Sequence, residues 1–156
     1  MKQHTCTSRM LPRENEGTKQ PKTIAAHYGD WLNTMEWDFY CTFTTRYTMS
    51  MRSAINSMDR LNNFLAQQYG SKPTIFWVAE PFDTKYSYHL HALLKVPGKP
   101  ASNAAYYIKK AWQVVSKGKY GKEYNFTVIK PYDANLGGNY YVAKYLHRYN
   151  AEYGFA

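Results

Sequence analysis

The chain has 156 residues, 44% of them hydrophobic, and a formal net charge of +9. That length suits one domain with a real core and is too short for two, and no apolar run approaches the roughly 20 residues of a membrane span, so no membrane partner is expected. Cys6 and Cys41 make no disulfide framework and the first twenty residues carry no apolar signal segment, so a host cytoplasm is the expected compartment.

Residues 1–25 include "PRENEGTKQPKT", polar and rich in breakers, and read as a flexible tail before a single domain over 26–156. "AAHYGDWLNT" adds a short helix. "WDFYCTFTT" alternates, with Phe39, Cys41 and Phe43 facing one way and Tyr40, Thr42 and Thr44 the other, the signature of a half-buried strand. From Met51 the period changes: Met51, Ile55, Met58, Leu61 and Leu65 recur at helical spacing until Gly70 stops them.

"PTIFWVAE" and "YSYHLHALLKV" are strands around the turn-like "PFDTK", hence a hairpin. Ser102 is placed to cap a helix whose apolar face is Ala104, Ile108, Trp112 and Val115. A basic loop "KGKYGK", a strand in "YNFTVIK" and the break "NLGG" precede a last helical stretch, "NYYVAKYLHRY", with Asn139 as its expected N-cap. Strand, helix, strand, strand, helix, strand, helix is the order of an α+β, ferredoxin-like (RRM-like) antiparallel sheet with two helices on one face. The extra C-terminal helix must then lie elsewhere, near the open face.

Charge is placed unevenly along this plan. Residues 1–84 hold nine Lys/Arg against eight Asp/Glu, whereas residues 85–150 hold eleven against two. A one-sided basic excess favours a polyanionic partner, because each neutralised phosphate releases counterions. The 16 tyrosines suit single strands, whose bases stack on aromatic rings.

Residues two apart on a strand share a face, so His89 and His91 point together, opposite Leu90, Ala92 and Leu94. They occupy the face the crossover helices leave uncovered. Taken alone the pair fits two surface histidines. Antiparallel pairing around a turn near Thr84, however, brings Glu80 opposite His89. Two imidazoles and a carboxylate suit a divalent metal, with Mg²⁺ or Mn²⁺ as fitting as Zn²⁺. On the last helix Tyr141 and Tyr145 stand at i and i+4, and Lys144 neighbours Tyr141. Such tyrosines often serve as packing, but a tyrosine beside an ammonium can also act as a nucleophile.

Together these pieces resemble the HUH endonucleases, in particular their replication-initiator (Rep) branch. The residues that carry the resemblance are His89-Leu90-His91, the strand "FYCTFTT" over 39–45 and the helical Tyr141-Val142-Ala143-Lys144; "YVAKY" is most similar to initiators of single-stranded DNA phages, in which two tyrosines alternate. The resemblance spans roughly residues 37–150. In relaxases the tyrosine precedes the histidines, and in single-domain transposases of the superfamily it usually pairs with glutamine; neither pattern is present.

The resemblance implies a metal-dependent nickase and strand transferase that starts rolling-circle replication of a plasmid or phage. It implies a metal on Glu80, His89 and His91, Mg²⁺ or Mn²⁺ ahead of Zn²⁺. Tyr141 is then the primary nucleophile, aided by Lys144, with Tyr145 auxiliary. The partner is single-stranded or melted origin DNA, contacted by Lys117, Lys119, Lys122 and Arg148 and by Thr42 and Thr44, with helicase and polymerase supplied separately. A non-catalytic RRM-like single-strand-binding module and a single-domain HUH transposase are the alternative readings.

Overall fold

Where the apolar spacing is most regular, the longest element forms. In the computed structural model, which describes residues 23–82, 86–116, 126–144, 146 and 153–155, helix α2 spans Met51–Tyr69. The Ser50 hydroxyl accepts the Ser53 N–H at 3.1 Å to cap its start, and Gly70 ends it in the left-handed region. Ala54, Met58, Leu61 and Leu65 form the buried stripe. Ile55, expected in that stripe, is 38% exposed; it lies about 100° around the helix from Ala54, which takes the inward position.

Helix α3, Ala104–Val115, buries the predicted face of Ala104, Ile108, Trp112 and Val115. Its start differs from expectation. Asn103, not Ser102, is the N-cap, and no side chain caps it. With φ −102° and ψ 9°, Asn103 lacks the extended backbone from which a cap side chain reaches forward.

Among the described residues five strands make one sheet: β1 Phe39–Phe43, β2 Thr74–Pro81, β3 Tyr88–Lys95, β4 Val128–Pro131 and β5 Tyr153–Phe155, in spatial order β4-β1-β3-β2-β5. All pairings are antiparallel. The protein is therefore α+β, with β1 to β4 and the two crossover helices arranged compatibly with a ferredoxin-like fold. Three-residue β5, added along β2, was not expected. One face of the sheet gives Phe39, Cys41, Phe43, Ile75, Trp77, Leu90, Ala92 and Leu94 to a core closed by α2 and α3.

The opposite face is not left bare. Helix α1, Ile24–Leu32, and helix α4, Gly138–Ala143, lie over part of it, and Leu32, Val142 and Ala143 join Trp37, Phe76, Val78 and Leu93 in a second, smaller core. Helix α1 begins at Ile24, with the Thr23 hydroxyl accepting the Ala26 N–H. Asn139 is not the N-cap of α4 either. Asp133 caps an upstream 3-10 turn, Ala134–Leu136, and Gly137 leads directly into the helix. Asn139 is instead buried, its side-chain N–H donating to the Gly29 carbonyl at 2.8 Å. Gly29 is required at that crossing, because a Cβ there would run into the Tyr140 ring. No described helix is long and apolar enough to cross a membrane.

Candidate metal centre and the tyrosine beside it

Strand register assembles the site. Glu80 pairs with His89 across β2 and β3, and Thr42 of β1 pairs with His91 from the other side. The Glu80 carboxylate oxygen Oε2 lies 2.6 Å from His89 Nε2 and 2.6 Å from His91 Nε2. One ligand atom from each residue falls within 4.8 Å of the others. The side chains are 15%, 18% and 6% exposed for Glu80, His89 and His91, so the group is recessed rather than spread over an open surface, and His91 does not project freely into solvent.

Burial has a chemical consequence. Removal from water lowers the His91 pKa to about 4, against the opposing pull of the Glu80 hydrogen bond. At neutral pH the ring is uncharged, the protonation state in which an imidazole nitrogen binds a metal. Its other nitrogen is held from β1: His91 Nδ1 is 2.9 Å from the Tyr40 hydroxyl and 3.3 Å from Thr42 Oγ1. Burial raises the Tyr40 pKa, so its hydroxyl keeps its proton. That hydroxyl can donate to Nδ1 when the imidazole proton sits on Nε2, or accept from Nδ1–H when Nε2 carries a metal. Two imidazoles, one carboxylate and a fixed outer partner fit a divalent cation, and the group can hold one.

Helix α4 sets Tyr141 against this group. Its ring is edge-on to His91, with centroids 4.9 Å apart and planes at 78°, and edge-on to Tyr40 at 6.2 Å. Tyr141 is 38% exposed. The Lys144 ammonium is 3.7 Å from the Tyr141 ring centroid, over the ring face as well as near in sequence. A cation there is attracted by the π face.

Glu80, His89, His91, Tyr141 and Lys144 therefore come together. Thr42 joins them, as a partner of His91 rather than as an outlying contact. Thr44 does not: the strand's alternation stops at Phe43, the Thr44 carbonyl accepts the Trp112 indole N–H at 2.9 Å, and its hydroxyl oxygen is buried. Tyr145, Lys117, Lys119, Lys122 and Arg148 lie outside the described residues. Tyr40 is the site residue that the sequence reading placed on the right face without assigning it a role. The signal was present in the period of two, which sets Tyr40 and Thr42 beside a histidine that must be oriented. Comparisons of the chain with protein-family models, with curated proteins and with solved structures returned no match.

Proposed function

We propose that this chain is a metal-dependent nickase and strand transferase of the HUH type, acting on single-stranded or melted origin DNA to begin rolling-circle replication of a plasmid or phage. The observation that carries the reading is the contact between the Tyr141 ring and His91 of the Glu80–His89–His91 group: a potential nucleophile and a metal-ligand set, 50 residues apart in the chain, stand side by side.

Mg²⁺ or Mn²⁺, ahead of Zn²⁺, bound at the group would neutralise charge on a non-bridging oxygen of the scissile phosphate. Glu80, His89 and His91 hold the cation's place, and Tyr40 and Thr42 hold His91. The Tyr141 oxygen forms a bond to phosphorus as the bond to the 3′ oxygen breaks. The phenol proton leaves to solvent and the 3′ oxygen takes one up, giving a 5′-phosphotyrosine and a free 3′-OH. Lys144, whose ammonium lies over the Tyr141 ring, would orient the leaving charge. The ester conserves the phosphodiester's energy, so a later 3′-OH can reverse the step and join ends. Basic residues of the second half hold the strand, and helicase and polymerase come from elsewhere.

The covered sheet face weighs against the non-catalytic alternative. A platform running across the sheet needs exposed aromatics on its central strands, but here Phe76 of β2 is buried beneath α1 and α4. The decisive experiment incubates end-labelled random-sequence single-stranded DNA with the protein and Mn²⁺, then runs a denaturing gel. A protein–DNA adduct mapping to Tyr141 is expected. Absence of any adduct, or nicking undiminished in EDTA, overturns the proposal.

A further inference from the structure

Beside the metal-ligand group, between β4 and α4, a cleft of about 410 Å³ opens, near the small end of the ~300–1,000 Å³ usual for ligand sites. Three tyrosine rings line it, Tyr40, Tyr132 and Tyr141, with Lys130 and Asp133 as its charged members. Two of those rings belong equally to the metal group: Tyr40 and Tyr141 have centroids 6.0 Å and 4.9 Å from that of His91. Cleft and group therefore share a wall.

The cleft is also kept open by composition. Gly138 lines it without a side chain, and a Cβ there would come within 3.1 Å of Tyr40 Cδ2 and 3.4 Å of Tyr132 Cε2. Aromatic walls take flat rings, Asp133 accepts from ring N–H groups, and Lys130 suits a phosphate.

We infer that this cleft binds one nucleobase of the DNA strand, that of the nucleotide adjoining the scissile phosphate. The inference rests on the nickase reading and deepens it. A strand with its phosphate at Glu80, His89 and His91 has its neighbouring base within reach of the shared wall. Stacking between the tyrosines then fixes the register of cleavage, so the cleft selects which phosphodiester meets Tyr141.

The test uses the full chain and the oligonucleotide it nicks fastest from a random single-stranded pool. Abasic sites are placed singly at each position, and binding is measured by fluorescence anisotropy in EDTA, where no cleavage intervenes. One position next to the nicked bond should lose about 10- to 100-fold in affinity when its base is removed, the scale of one lost base–aromatic stack. Val128→Trp fills the cleft from β4, and Leu136→Trp, at an 81% exposed position, fills it from the 3-10 turn. Each should bind the intact oligonucleotide only as well as wild type binds the abasic one, with Mn²⁺ affinity unchanged. A flat abasic profile, or a folded filling variant that binds like wild type, overturns the cleft assignment while nicking persists. A chain that neither nicks nor binds single-stranded DNA overturns the nickase reading and this one together.

Discussion

The sheet's two faces follow one alternating pattern and end in different chemistry. On the α2/α3 face Phe43, Leu90, Leu94, Met58 and Trp112 are closed off from water. On the α1/α4 face a smaller apolar cluster stops short, and Glu80, His89, His91, Tyr40 and Thr42 fill the remaining ground. The first face supplies stability. The second gives up apolar area to keep the His91 imidazole neutral and oriented, which requires a partial cover rather than open water.

Replacements on the second face should separate metal binding and chemistry from stability. His91→Ala should weaken Mn²⁺ binding by at least about 100-fold, since a ligand is lost outright, and should abolish adduct formation. It also leaves the Tyr40 hydroxyl and Glu80 short of a partner, at a cost of about 1–3 kcal/mol in stability. Calorimetric titration with Mn²⁺ and urea unfolding check the two halves. The pH dependence follows from the same burial. In EDTA the unfolded chain's histidine takes up a proton near 6.5 that folded His91 resists down to about 4. Its contribution is thus present above pH 6.5 and lost as pH falls through that window, and His91→Ala should flatten the slope there. Tyr141→Phe is the complementary break: adduct formation should vanish on a denaturing gel while Mn²⁺ affinity and stability stay at wild-type values.

On the first face the expected loss is of stability alone. Trp112 is fully buried, its ring 4.6 Å from that of Phe43, and Trp112→Ala should cost about 3–5 kcal/mol by urea unfolding. The folded fraction should bind Mn²⁺ as wild type does. A drop in intrinsic metal affinity would mean that the two faces are coupled through the strands.

Much of this plan is legible in the amino-acid order because its determinants are local. The period of two separates His89 and His91 from Leu90 and Ala92, and a short turn sets Glu80 opposite His89, so the ligand group follows from neighbouring strands. The helical spacing of Met58, Leu61 and Leu65 likewise identifies α2. What escapes is tertiary. "YGF" at 153–155 is too short to announce a strand, and β5 exists because β2 offers an edge. Asn139 has the chemistry of a cap, yet its partner is the Gly29 carbonyl, 110 residues away. Nothing local says that α1 and α4 will pack together and thereby bring Tyr141 to His91.

The smallest effect is expected at Tyr40, and it tests whether the second face is organised or merely polar. Tyr40→Phe keeps the ring beside His91 and Tyr141 and removes one hydroxyl. Thr42 Oγ1, at 3.3 Å, remains within reach of His91 Nδ1, so the imidazole is loosened rather than released. Loss of an outer partner to a metal-ligating histidine typically costs about 10- to 100-fold in affinity; with Thr42 in reserve, the lower end of that range is expected for Mn²⁺. Stability should change by only about 1 kcal/mol. The double variant Tyr40→Phe with Thr42→Val should then lose more than the two single changes combined, because only the pair leaves Nδ1 without a partner from β1. Purely additive losses in the titration would show that the two hydroxyls act independently, and that β1 contributes packing but no control over the His91 proton.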